Sequence, residues 1–215
     1  MKGFGRIACK HELQAPSTMI QTLRFIAVSL LTAFLLTFPA TVVAGSDKHA
    51  RAVNTVQNLF DDAHAAMSGH SGHDLPSAIS PYLAFEYWAR VFIQPRKEAF
   101  SAKQKRILLR LLPGYFANLY HDQFSQGLNT KPEVGHTKRT RKDVLVSSKF
   151  PRTRGKPLPI NWRVRTHRNG SSWVIDIVIG GTSFVLLKRE EFTAIIDKHG
   201  PEGLLAYLRR NSSRQ

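Results

Sequence analysis

The sequence predicts an α+β fold, with helices packed on a curved four-stranded antiparallel sheet. Three observations predict it. Apolar residues recur at a period near four as far as Phe124, at a period of two after Gly127, and near four again beyond Gly180-Gly181. Helices first, a meander of strands next and helices last is the order of an α+β chain in which the helices cover one face of the sheet.

An uncharged segment precedes the first helix. Phe25 to Ser46 is 22 residues without a charge, which marks a targeting or membrane element. As a signal peptide it starts at Met19, carries Arg24, runs apolar from Phe25 to Phe38, breaks at Pro39 and offers Val42-Val43-Ala44 for cleavage. That apolar run is 14 residues, short of the roughly 20 that span a bilayer. A retained anchor is the alternative, because apolar character resumes after Pro39. Cleavage after Ala44 leaves one domain, residues 45–215, and removes Cys9, the only cysteine. Disulfides then play no part in the exported chain.

The first helix is expected over residues 49–67, where Val53, Val56, Phe60, Ala63 and Met67 share a face. The stretch "SGHSGHDLPS" ends it. A second helix is expected to open at Ser80 as cap with Pro81 at its first position, carrying Leu83, Tyr87, Trp88, Val91 and Phe92. The third opens at Ser101, where Ser-Ala-Lys-Gln has capping-box spacing, and Pro113-Gly114 is expected to kink it.

Strands follow near 132–139, 142–149, 158–167 and 172–180. The third alternates cleanly: Ile160, Trp162, Val164 and Thr166 point one way, Asn161, Arg163, Arg165 and His167 the other. Asn169-Gly170 supplies a hairpin turn. The fourth, "WVIDIVI", alternates poorly, as if something covered both its faces. After the GGTS break, "KREEFTAIIDKHG" reads as a helix ended by Gly200, and Pro201 starts a last short one.

The formal net charge is +16, and 12 Lys or Arg between Lys131 and Arg168 face only Glu133 and Asp143. Such a stripe seeks an anionic partner or guards a solvated sheet edge. Nucleic acid is disfavoured, since an exported protein seldom meets it and no recognition motif stands in the sequence. An anionic membrane surface fits better, with Lys138, Arg139, Arg141 and Lys142 as the docking residues.

The segments "ISPYLAFEYWARVFI", "SAKQ" and "YFANLY", then "WVIDIVIGGTSF" followed by "REEFTAIIDKHGPEGLLAYL", resemble the periplasmic phospholipid-carrier family typified by MlaC. The tail carries the most specific part of the likeness. Glu86 departs from the family's usual Asp. The resemblance implies a cystatin-like or nuclear-transport-factor-like cone around an apolar cavity that buries acyl chains. It further implies a periplasmic carrier of phospholipid, or of a hopanoid-type lipid, between an outer-membrane lipoprotein complex and an inner-membrane ABC transporter. On that reading the lipid-lining candidates are Trp88, Phe92, Tyr115, Leu119, Trp162, Val164, Trp173, Ile175 and Ile177. The loop Thr182-Ser183-Phe184 is expected at the cavity mouth. Each of these is also what an ordinary core would contain.

No catalytic residue, cofactor or metal is assigned. Glu86 and Asp176 have no nucleophile or base at a telling spacing. His64, His70 and His73 lie by a Gly/Ser-rich loop that fixes no coordination geometry. Gly180-Gly181-Thr182-Ser183 lacks the Lys of a phosphate loop and is not a nucleophile elbow. The alternative to a carrier is a membrane-anchored basic interaction module with no ligand in its core.

Overall fold

The computed structural model describes residues 44–124, 131–152 and 155–212. The leader expected over residues 1–44 lies outside them, Ala44 apart. No helix among the described residues is long and apolar enough to cross a membrane.

Helix α1 (Ala44–Met67) buries Ala52, Val56, Leu59, Phe60 and Ala63, the one-face spacing of an amphipathic helix. That face lies on the sheet. A short helix α2 (Leu75–Ile79) follows where only a break was expected, started by Asp74, whose Oδ1 accepts the Ser77 N–H at 3.0 Å. The expected helix start at Ser80 is corrected as well. Ser80–Tyr82 is a 3-10 turn, Leu83 is extended, and α3 spans Phe85–Ile93. Leu83 bridges Val174 in parallel, and the Ala84 N–H donates to the Val174 carbonyl at 3.0 Å. Pairing with the sheet edge therefore holds this backbone out of a helix.

Helix α4 (Ala102–Phe124) opens on the capping box the sequence shows. The Ser101 N–H donates to Gln104 Oε1 (2.9 Å) and the Gln104 N–H to Ser101 Oγ (3.2 Å). It runs on through Pro113. At Gly114 a Cβ would stand 3.0 Å from the Ser212 Cβ, so the missing side chain lets the C-terminal helix pack close.

The sheet has five strands in the order β1 to β5: β1 (Glu133–Arg139), β2 (Val144–Phe150), β3 (Leu158–Thr166), β4 (Ser172–Ile179) and β5 (Thr182–Ser183), all antiparallel to their neighbours. The fifth strand corrects the expected four. Gly180 (φ 59°) and Gly181 (φ 84°) both take the left-handed conformation of a two-residue hairpin turn. The turn folds Thr182 and Ser183 back onto Ile179 and Val178.

The poor alternation of β4 has a local cause. Arg163 pairs with Asp176 and Val164 with Val174, so Ile175 is an extra residue in a β-bulge. Val174, Ile177 and Ile179 thus share the inner face with Val164, Trp162 and Ile160, whereas Trp173 points the other way with Arg165. The expectation that Trp173, Ile175 and Ile177 all line a cavity is corrected by this one residue.

Helix α5 (Phe184–Ser212) begins four residues before the expected Lys188 and breaks at Gly200 (φ 66°), ahead of Pro201. Its early start has two caps. Ser183 Oγ accepts the Leu186 N–H (3.2 Å), and Asp176 Oδ1 accepts the Val185 N–H (3.3 Å) and the Ser183 hydroxyl (2.9 Å). Asp176 also accepts the Ile177 N–H at 2.9 Å. The buried carboxylate that interrupts an apolar strand is thus the joint between sheet and helix.

Candidate functional site

Between the helices and the inner face of the sheet lies a cavity of about 310 Å³. Ligand pockets run from ~300 to ~1,000 Å³. The sheet supplies Ile160, Trp162, Ile177 and Ile179, paired as Ile160 with Ile179 and Trp162 with Ile177. The helical side supplies Leu59, Ile79, Leu83, Trp88, Phe116 and Leu119, with Tyr120 one residue on. The start of α5 closes it with Phe184, Leu187 and Lys188. Leu187 is 55% exposed and its neighbour Leu186 46%, which puts the mouth at this turn.

The two indoles show how a polar atom is kept out of an apolar wall. Trp88 Nε1–H donates to the Ile175 carbonyl (2.9 Å), so the bulge residue anchors this ring. Trp162 Nε1–H donates to Ser148 Oγ (2.8 Å). With both N–H groups satisfied in the wall, the rings offer carbon to the cavity. Phe60 meets Trp162 edge-on at 5.3 Å and Phe150 at 5.2 Å, so the wall behind Trp162 is well packed. Burial raises the phenol of Tyr120 above its ordinary value, which keeps it neutral.

Of the residues expected to line a cavity, Trp88, Leu119, Trp162, Ile177 and Phe184 do so. Phe92, Tyr115 and Val164 are buried in the main core instead. Phe92 and Tyr115 meet Phe192 edge-on at 5.1 and 5.7 Å, and burial pushes the Tyr115 phenol up to about 12. Trp173 packs against His167 at 5.1 Å. Ile175 is buried outside the core cluster. Thr182 is exposed and Ser183 is the helix cap, so neither lines the mouth. The lining residues Leu59, Ile79, Leu83, Phe116, Tyr120, Ile160, Ile179, Leu187 and Lys188 were not picked out from sequence. Ile160 and Ile179 share the inner face that the alternation of β3 does reveal.

The basic residues lie elsewhere. Lys138 and Arg139 end β1, and Arg141 and Lys142 occupy the following turn, all four exposed. The turn is closed by the Thr140 N–H on the Asp143 carbonyl (2.8 Å) and the Asp143 N–H on Thr140 Oγ1 (3.0 Å). Asp143 gives its carboxylate to Arg165, at 2.7 and 3.2 Å. The four outer cations make no ion pair among the described residues. Arg139 borders Val144, which pairs with Val164, whereas the cavity is lined from Trp162 to Ile160. The cations therefore stand at the end of the sheet away from the cavity mouth. The described residues hold no group of three or more His, Cys, Asp or Glu placed to bind a metal ion.

Helices folded over one face of an antiparallel sheet, with an apolar cavity between the layers, define a protein able to enclose an apolar ligand. The family model of the MlaC protein matches residues 50–210, and the chain belongs to that family. No curated protein matches the sequence. Among solved structures, the chain is similar to a phospholipid-binding protein from Ralstonia solanacearum in complex with a phospholipid. The likeness has 19% identity and a TM-score of 0.59, covering 78% of this chain and 98% of that one.

Proposed function

We propose that this protein is a lipid carrier without a catalytic step, which holds acyl chain in the cavity between its helices and sheet. The observation that carries the proposal is the cavity itself: about 310 Å³, bordered mostly by apolar side chains, with both indole N–H groups bonded away from it, in a chain of the MlaC family. Burial of hydrocarbon is worth ~0.8 kcal/mol per methylene. Chains seated in such a slot need no specific contact to be retained, and release is the harder step. The phospholipid in the Ralstonia relative supports the same class of ligand.

On this reading residues 1–44 are a leader cleaved after Ala44, residues 45–215 are the carrier, and its place of work is the periplasm. It shuttles phospholipid, or a hopanoid-type lipid, between an outer-membrane lipoprotein complex and an inner-membrane ABC transporter. The exposed Lys138, Arg139, Arg141 and Lys142 dock that end of the sheet on anionic headgroups. The test is native mass spectrometry with lipid extraction on the chain purified from its own host. Bound lipid at close to one per protein is expected. A chain that carries none, and takes none up from vesicles, returns the molecule to a basic interaction module with a closed core.

A further inference from the structure

Apolar burial does not explain Lys188, the one charged side chain bordering the cavity among the described residues. Only 13% of its side chain is exposed. Its ammonium donates to Glu191 Oε2 at 2.7 Å and lies over the rings of Tyr115 and Phe184, at 5.6 and 5.7 Å. Phe184 is itself part of the cavity wall. Glu191 is held from behind by Tyr207, whose hydroxyl donates to Oε1 at 2.9 Å. An ammonium so placed loses hydration, and the single carboxylate restores only part of it. Of its three N–H donors, one is used by Glu191 and two have no protein acceptor among the described residues. The position matters as much as the charge: Lys188 follows the exposed Leu186 and Leu187, where hydrocarbon inside the cavity would meet water.

We infer that Lys188 receives the anionic phosphate of the lipid whose chains occupy the cavity, and that it selects phosphate esters over uncharged lipids. The inference rests on the carrier reading and adds to it the ligand's polar chemistry. A phosphate oxygen accepts the two remaining N–H groups as charge-assisted hydrogen bonds. The flanking rings stabilise the cation while denying it other acceptors. Glu191 competes with the phosphate for the same ammonium, and Tyr207 keeps that carboxylate from following the lysine outward. Two substitutions therefore act in opposite directions. Lys188→Met keeps the stem and removes the charge, whereas Glu191→Gln keeps the lysine and removes its competitor.

The experiment loads the delipidated full chain from an equimolar mixture of phosphatidylglycerol and diacylglycerol with identical acyl chains, and counts each bound species by native mass spectrometry. The wild-type protein is expected to enrich the phosphate ester by about tenfold, the discrimination that one charge-assisted hydrogen bond supplies. Lys188→Met is expected to take both lipids near their mixing ratio at undiminished total occupancy, and Glu191→Gln to enrich phosphatidylglycerol beyond the wild type. Equal enrichment in wild type and Lys188→Met overturns the role of Lys188 and leaves the carrier reading intact. Absence of both lipids from the wild type overturns the carrier reading itself. If Lys188→Met does not fold, Glu191→Gln decides alone, and unchanged enrichment in it overturns the inference. Glycerol 3-phosphate is the control for a free phosphate ester. Binding of it with the same Lys188 dependence would reassign the site to a soluble ligand.

Discussion

The two ends of the sheet have opposite chemistry. At one end Ile160, Trp162, Ile177 and Ile179 turn an unbroken apolar surface towards the cavity; at the other Lys138, Arg139, Arg141 and Lys142 stand in solvent without ion-pair partners among the described residues. Along β3 the six steps from Ile160 to Thr166 run from the cavity end towards the basic end, about 20 Å at the usual rise per residue. The difference teaches that, on the carrier reading, ligand retention and surface attraction fall to separate ends. Changing one should leave the other alone.

The largest break in that comparison is Trp162→Ala. It removes a side chain packed on Phe60 and Phe150 and leaves the buried Ser148 hydroxyl without its donor. Removing a buried Trp costs about 3–5 kcal/mol. Urea unfolding is expected to show that loss, with the basic end's association with anionic vesicles unchanged per folded molecule.

Next comes Leu119→Trp, which adds bulk on the helical wall of the cavity. If the space is reserved for ligand, bound lipid falls several-fold while the melting temperature barely moves. Were it packed core, overpacking would cost about 1–3 kcal/mol with no change in lipid. Thermal unfolding and lipid extraction on the same sample distinguish the two. Thr182, exposed on its hairpin, is not a position from which the cavity can be filled.

At the opposite end, reversing Lys138, Arg139, Arg141 and Lys142 to Glu is expected to abolish binding to anionic vesicles and flatten its salt dependence, with lipid content unchanged. Sedimentation with vesicles between low and physiological salt reads this, since screening acts within ~8 Å at the latter. Binding that survives the reversal would make the cluster a solubility device.

The smallest expected effect belongs to Asp74, the cap of the short helix that carries the cavity residue Ile79. Asp74→Ala should cost about 1 kcal/mol, the usual value of an N-cap. Hydrogen bonds from Ser77 hold this carboxyl below its ordinary value. Its contribution is therefore present above about pH 4, the range of an unfolded Asp, and fades as pH falls through the lowered folded value. Wild type and Asp74→Ala should converge in stability below that pH, as followed by denaturant unfolding against pH.

Much of this architecture is legible in the sequence. The capping box at Ser101, the Asn169-Gly170 turn and the alternation of Ile160, Trp162 and Val164 each state a local rule that the fold obeys. What escaped depends on partners distant in sequence. Leu83 is extended because Val174 pairs with it, and Ser183 caps a helix because Asp176 reaches the same turn. For the site, the large aromatics Trp88, Trp162 and Phe184 could be named. Periodicity does not distinguish them from Phe92 or Tyr115, because an apolar side chain facing a cavity and one facing a neighbour look alike in the chain. Lys188 was hidden by its surroundings, since "KREEF" reads as the charged side of a helix.

The bulge at Ile175 acts on β4 as a shift of reading frame. Upstream of it even-numbered residues face inward, and downstream odd-numbered ones do, so Val174 and Ile177 meet the same interior. A chain one residue shorter at this point would keep every other side chain of the strand on its present side. What it would forfeit is the Ile175 carbonyl that holds the Trp88 indole. The additional residue thus works as a spacer that sets one ring of the cavity wall, and alignments of this strand by simple alternation must skip a position at 175.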